Sequence, residues 1–246
     1  MAGWLDVLVL CYHGIHPEAR HGEVTPDSFR EQLALVAERG YRFTTFTDAV
    51  LQERPGRAAA VTFDDGVASA VEFGLPVLDE LDAPGTMFLA LDLLGIGGVL
   101  READAGRLVA HGWEVGSHTV SHPVLTKVDD ATLHEELVSS RRRIAELTGV
   151  PCAAVAYPKG YADSRVVAAA AAAGYVAGAA LEGATDLGPI ALAWPRVGVR
   201  GDDSLRVFGL KCSRAVRRAR SSWARRPIAK LTTETGKARR RLRRLG

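Results

Sequence analysis

The sequence predicts an α/β fold, a parallel sheet wound from βα units, and three observations carry that expectation. Short apolar runs and helical segments alternate from the start of the chain, with turn residues between them. Several helical segments carry their own start and stop signals. The chain has 246 residues, 47% of them apolar, enough for one sizeable core, and α/β barrels of about 200–250 residues commonly form a single domain.

In chain order, residues 6–12 form an apolar strand. Thr25-Pro26-Asp27 opens a helix, with Thr25 as N-cap, Pro26 in the first turn and Gly40 as the stop. Residues 42–46 suit a second strand and 58–63 a third, ending at Asp64-Asp65-Gly66. The run 86–90 follows a segment around 75–81 and the Ala83-Pro84-Gly85 turn. A helix over 101–111 stops at Gly112, and 113–116 leads into Ser117-His118. From Asp129 or Asp130 a helix places Leu133, Leu137, Ile144 and Leu147 on one face and ends at Gly149, before Pro151. Residues 152–157 read as a strand, and Ser164 caps an Ala-rich helix that stops at Gly174. No internal repeat is visible. Near Gly209 the alternation fails, so the expected division is a catalytic domain over 1–210 and a basic tail over 211–246, either a terminal helix or unstructured.

Charge divides at the same place. Residues 211–246 hold 14 of the 31 Lys and Arg but only one of the 29 acids, which leaves 17 basic against 28 acidic side chains in 1–210. Cys11, Cys152 and Cys212 are too few and too scattered for a disulfide framework or a Cys-rich zinc site, and a reducing compartment fits them. The apolar run at the N-terminus is short, lacks a basic flank and leads straight into Tyr12-His13-Gly14, so it reads as a strand and not as a secretion signal. No stretch reaches the roughly 18 uninterrupted apolar residues of a membrane span. The expected location is therefore cytoplasmic, peripheral at the inner face of the membrane if the tail binds there.

Two short motifs carry the chemistry. Val61-Thr62-Phe63-Asp64-Asp65-Gly66 ends an apolar strand in two carboxylates and a glycine, at the strand end where α/β barrels place reactive groups. Adjacent side chains on a strand point oppositely, so both acids share a cavity only if the Gly66 turn breaks that geometry; a plain Asp-Asp-Gly turn is the alternative. Gly116-Ser117-His118-Thr119-Val120-Ser121-His122-Pro123 places two histidines four apart, which on a helical turn share a face and can meet one ion. Asp65, His118 and His122 make a three-ligand set that leaves room for water and substrate. Two His and one carboxylate suit one divalent ion, Zn first, with Co, Ni or Fe also accepted. An ion there would polarise an amide carbonyl and activate water, while Asp64 takes the water's proton.

These motifs resemble those of the polysaccharide deacetylases of the NodB-homology type, carbohydrate esterase family four. Thr62-Phe63-Asp64-Asp65-Gly66 is similar to the family's first motif and His118-Thr119-Val120-Ser121-His122-Pro123 to its second. Leu10-Cys11-Tyr12-His13-Gly14-Ile15 resembles its N-terminal strand and loop, and Ala156-Tyr157-Pro158-Lys159-Gly160 a variant third motif, so the likeness spans about 5–200. The resemblance implies a distorted (β/α) barrel of about seven parallel strands. It implies Asp64 as general base, Asp65, His118 and His122 as metal ligands, and N-deacetylation of an aminosugar or glycan. It places Tyr157 and Pro158 on the substrate groove, with a backbone N–H near Tyr157 donating to the oxyanion. Trp194 and Arg196 match the segment of an aromatic wall and of an arginine that orients the base. Two departures stand out. Ala153 and Ala154 occupy the place of the third motif's arginine, and no histidine follows His134, so the usual Leu-x-His acid is missing. His13, after the first strand, is the candidate acid or substrate contact; His16 and His21 read as loop residues, His111 and His134 as surface ones.

The tail's Arg clusters, with Trp223, Ile228 and Leu231 between them, suit an anionic membrane surface better than nucleic acid, the bland option being a solvated tail that aids solubility or touches the acidic body. A deacylase held near the bilayer would act on a lipid-linked or cell-envelope aminosugar. The alternatives are a hydrolase of a non-sugar amide, such as a cyclic ureide, imide or formamide, and a catalytically idle carbohydrate-binding module.

Overall fold

Seven parallel strands close into a barrel. In the computed structural model, which describes residues 3–19, 22–51, 56–185 and 187–224, they are β1 (Val7–Tyr12), β3 (Ala58–Phe63), β4 (Gly85–Leu89), β5 (Glu114–Ser117), β6 (Ala154–Ala156), β7 (Ala177–Leu181) and β8 (Trp194–Gly198). Each pairs with the next around the ring, and β1 closes it by pairing with both β3 and β8. The two-residue β2 (Arg42–Phe43) sits outside the ring, against the first residues of β3. Pairing is uneven: β1 and β3 stay in register from Val7↔Ala58 to Tyr12↔Phe63, whereas β5 meets β6 only at Ser117↔Val155. The expected distorted (β/α) barrel is therefore what forms. Helices α1 (Pro26–Glu38), α3 (Ala68–Glu80), α4 (Glu102–Ala110), α5 (Asp130–Thr148) and α6 (Ser164–Ala172) lie between successive strands, and α7 (Leu205–Lys211) and α8 (Arg214–Ala224) follow β8.

Alternation along the strands divides the core in two. Val7, Val9, Ala58, Ala60, Ala154, Ala156, Ala177 and Ala179 face inward, and Phe46, Phe88 and Trp194 fill what these small residues leave. Leu8, Leu10, Tyr12, Val61 and Phe63 face outward beneath the helices. Helix α2 (Phe46–Leu51) closes the N-terminal mouth: the Phe46 N–H donates to Thr86 Oγ1 at 2.9 Å and the Thr47 N–H to Glu114 Oε2 at 3.0 Å. The C-terminal mouth, where Asp64 and His118 emerge, is left for chemistry.

Several boundaries differ from expectation for local reasons. The strand expected over 42–46 stops at Phe43, because Phe46 turns inward to start α2. The Ala-rich helix starts at Ser164 but is capped by Asp163, whose carboxylate accepts from Val166 N–H at 2.9 Å. Asp129 caps α5 in the same way, and Gly149 ends it with φ 74°. The boundary expected at residue 210 falls inside α7. Helix α8 then docks on the barrel: buried Arg217 donates to Leu5 O at 3.2 Å and Val7 O at 2.6 Å and lies over the Trp4 ring at 5.4 Å. Arg214 pairs with Asp6 at 3.2 Å and Arg220 with Glu182 at 3.1 Å. Residues 225–246, with the Arg-rich end of the expected tail, lie outside the described residues. Among the described residues no helix is long and apolar enough to cross a membrane.

Candidate active site

Asp64 continues the inward face of β3 after Ala58, Ala60 and Thr62, which brings its carboxylate to the barrel mouth, 4% exposed. Asp65 would point away in a regular strand. It instead adopts φ 64° and Gly66 φ 70°, so the chain reverses and the second carboxylate returns to the same mouth. Glycine is favoured at 66: beyond the left-handed φ, a Cβ there would lie 3.0 Å from Leu89 Cδ2 and crowd it.

The two histidines reach that mouth from the other side, but not on a helical turn as the i, i+4 spacing suggests. Residues 118–122 form a loop in which Thr119 (φ 72°) and His122 (φ 60°) are both left-handed, and these two reversals bring the rings together at 4.7 Å between centroids. Asp65 Oδ1 stands 3.5 Å from His118 Nε2 and 3.4 Å from His122 Nε2. Donors about 2 Å from a tetrahedral ion are separated by about 3.3 Å, so the spacing fits a divalent metal. Two further observations favour that fit. Asp65 Oδ1 is buried with no hydrogen-bond partner. His118 Nδ1 meets Ala156 O at 2.7 Å, and since a carbonyl only accepts, Nδ1 carries the hydrogen and Nε2 presents its lone pair to the cluster. Burial pulls the His118 pKa down against the opposing effect of both carboxylates, which favours that neutral ring.

Behind the cluster, Arg196 clamps Asp64. Nη1 donates to Oδ1 at 2.6 Å, Nη2 to Oδ2 at 2.7 Å, and Nη1 also reaches Thr62 Oγ1 at 3.1 Å. Burial alone would raise the Asp64 pKa, but the charge and hydrogen bonds of the Arg196 guanidinium outweigh it and hold the carboxyl well below the ordinary range. The sequence suggested such an arginine, and the geometry puts it there.

The remaining candidates separate. His13 follows β1 at the same mouth, exposed, and close enough to act electrostatically on Asp64. Tyr157 does not supply a free donor: its N–H is used by Ala179 O at 3.0 Å in the sheet, and its buried hydroxyl donates to Leu192 O at 2.7 Å. Pro158 is buried and has no N–H to give. Trp194 packs in the barrel interior, 8% exposed, and so offers a substrate little area as a wall. Sequence reasoning missed Cys11, whose thiol donates to Asp64 Oδ2 at 3.5 Å, and Glu136 and Ser140, which back the histidine loop. The last two carried a signal: they interrupt the buried face of α5 between Leu133 and Ile144, where helical periodicity calls for apolar residues.

Residues 51–178 match the polysaccharide deacetylase family profile. This chain belongs to that family. Among curated relatives of this chain, the Bacillus subtilis protein YxkH is 25% identical over 179 residues, covering 71% of this chain and 64% of that one. The peptidoglycan-N-acetylglucosamine deacetylase PgdA of Listeria monocytogenes is 29% identical over 101 residues, covering 41% of this chain and 21% of PgdA. The chain thus spans less than two thirds of the length of both. A crystal structure of a polysaccharide deacetylase from Bacillus cereus superposes with a TM-score of 0.73 at 26% identity, over 84% of this chain and 69% of that one. The Streptococcus pyogenes deacetylase PplD, solved with acetate, shares the fold at a TM-score of 0.73 and 24% identity, over 84% and 98% of the two chains.

Proposed function

We propose that this polysaccharide deacetylase family member is a metal-dependent hydrolase that removes an N-acyl group, acetyl first, from an aminosugar or glycan. One observation carries the reading: left-handed residues in two separate loops bring Asp65, His118 and His122 to a common point beside a carboxylate, Asp64, that Arg196 and Cys11 engage from behind. Asp65, His118 and His122 would hold one divalent ion, Zn by donor set, with Co, Ni or Fe as alternatives. When bound, it supplies Lewis acidity to the amide carbonyl and to water. Asp64, kept ionised by Arg196, accepts a proton from the attacking water as its oxygen bonds to the carbonyl carbon. His13 delivers a proton to the departing nitrogen as the C–N bond breaks, leaving carboxylate and free amine. Arg196 fixes the orientation of Asp64 throughout.

The test measures metal content and acetate release from N-acetylglucosamine oligomers for wild type and His118→Ala. Loss of both in the variant is expected; full acetate release by a metal-free variant refutes the mechanism.

The same proposal takes the substrate to be a lipid-linked or cell-envelope precursor met from the cytoplasmic side, with the basic segment on an anionic bilayer. Arg217 is buried against the barrel and Arg214 and Arg220 are paired with Asp6 and Glu182, so the proposed contact is assigned mainly to the arginines beyond residue 224. A chain ending at Ala224 is expected to lose binding to phosphatidylserine vesicles; equal binding refutes the membrane contact.

A further inference from the structure

The loop that carries both histidines is anchored from behind by one buried carboxylate. Glu136 on α5, 7% exposed, accepts the Val120 N–H at 2.7 Å and the Ser121 N–H at 3.0 Å on Oε2, and the Ser121 hydroxyl on Oε1. One turn further, Ser140 Oγ accepts from Ser117 Oγ at 2.8 Å, and Ser117 Oγ accepts from the Thr119 N–H at 3.0 Å. Thr119 Oγ1 in turn accepts from the His122 N–H at 3.1 Å. Every amide from 119 to 122 is therefore tied to a side chain.

Two non-glycine residues with positive φ in one five-residue loop persist only where the surroundings over-determine them. The bonds to Val120 and Ser121 act between those two residues, so they hold the reversal that separates His118 from His122 in sequence but not in space. The position of Glu136 in a buried face shared with Leu133, Leu137, Ser140 and Ile144 has no packing advantage, since a buried carboxylate is unfavourable unless its hydrogen bonds are made. We infer that Glu136 is a positioning residue: it sets the distance between His118 and His122 and thereby the affinity of the site for a divalent metal. This rests on the metal reading proposed above.

Two variants separate reach from charge. In Glu136→Gln the amide oxygen can replace Oε2 for both N–H groups while the amide NH2 donates to the Ser121 hydroxyl, so the bonds survive without the charge. In Glu136→Asp the charge survives but the side chain is one methylene short of both amides. The experiment titrates Zn2+ into the metal-free full chain by calorimetry, with circular dichroism to verify the fold. Glu136→Asp is expected to weaken Zn2+ binding about 10–100-fold, as for other groups that orient a ligand, while Glu136→Gln stays within a few-fold of wild type. Wild-type affinity in Glu136→Asp, or an equal loss in both variants, overturns the inference. If wild type and His118→Ala alike bind no Zn2+, the metal reading itself fails; if His118→Ala alone loses Zn2+ and Glu136→Asp does not, only the role of Glu136 fails.

Discussion

Arg196→Met isolates what holds Asp64, the proposed base. Methionine keeps much of the side chain's length and apolar stem but removes two charge-assisted bonds, at 2.6 and 2.7 Å, from a carboxylate that is 4% exposed. Removing one member of a buried pair leaves an uncompensated charge, and the loss is about 3–5 kcal/mol. For a chain of this size that is a fall in Tm on the order of 10 °C. The pH dependence has a definite sign. In the wild type the folded pKa of Asp64 lies below its unfolded value of about 4, so the contribution is present above that pH and fades as acid approaches the folded value. In the variant, burial dominates and raises the pKa, so the penalty is largest at neutral pH and is relieved on acidification. Urea unfolding of the metal-free chain, followed by tryptophan fluorescence, should therefore show a gap between wild type and variant that narrows from pH 7 to pH 4.5. In the loaded enzyme the acid limb of kcat/KM should move to higher pH. Adding Asp64→Asn to Arg196→Met should recover part of the lost stability, because the orphaned charge goes with it. A gap independent of pH, or strictly additive losses in the double variant, refutes the clamp.

Glu114, half-buried at the start of β5 against α2, has its pKa raised by loss of solvent in spite of bonds from Thr47 and Thr86. Such a carboxyl contributes fully below its unfolded pKa and loses that contribution as pH rises through the folded value. Glu114→Gln is thus expected to melt above wild type at pH 8 and to lose the advantage near pH 4; the opposite order assigns Glu114 a net favourable charge. Arg217→Met removes the bonds from α8 to the carbonyls of Leu5 and Val7, and about 2–4 kcal/mol of stability should go with them. An unchanged urea midpoint would mean that the Arg217 bonds add nothing to the barrel.

How much of this was legible in the sequence depends on whether a residue acts through pattern or through conformation. The strands and helices were visible because alternation and caps are local, as at Thr25 and Asp129, whose side chains cap the helices the sequence assigned to them. The candidate site residues were visible because few residue types suit such chemistry. Their convergence was not, since it depends on positive φ at Asp65, Thr119 and His122, which no periodicity announces, and His118 and His122 meet through two reversals and not on the helical turn that their spacing suggests. The basic end was legible only in part: a terminal helix touching the acidic body was among the expectations, and α8 pairs with Asp6 and Glu182, but the burial of Arg217 was not foreseen. A run of like charge reads as a solvated surface, and nothing in Arg214-Ala215-Val216-Arg217 marks one arginine for burial until the carbonyls at the start of β1 are in place to receive it. Glu136 lies between these cases. Its position on an apolar helix face is visible in the sequence as an anomaly, while its partners, the amides of Val120 and Ser121, come into reach only once the loop has turned back on α5. A polar residue at a core position of a helix next to a ligand motif is thus a sequence-level pointer to the group that shapes the motif, even where the motif's own geometry is unreadable.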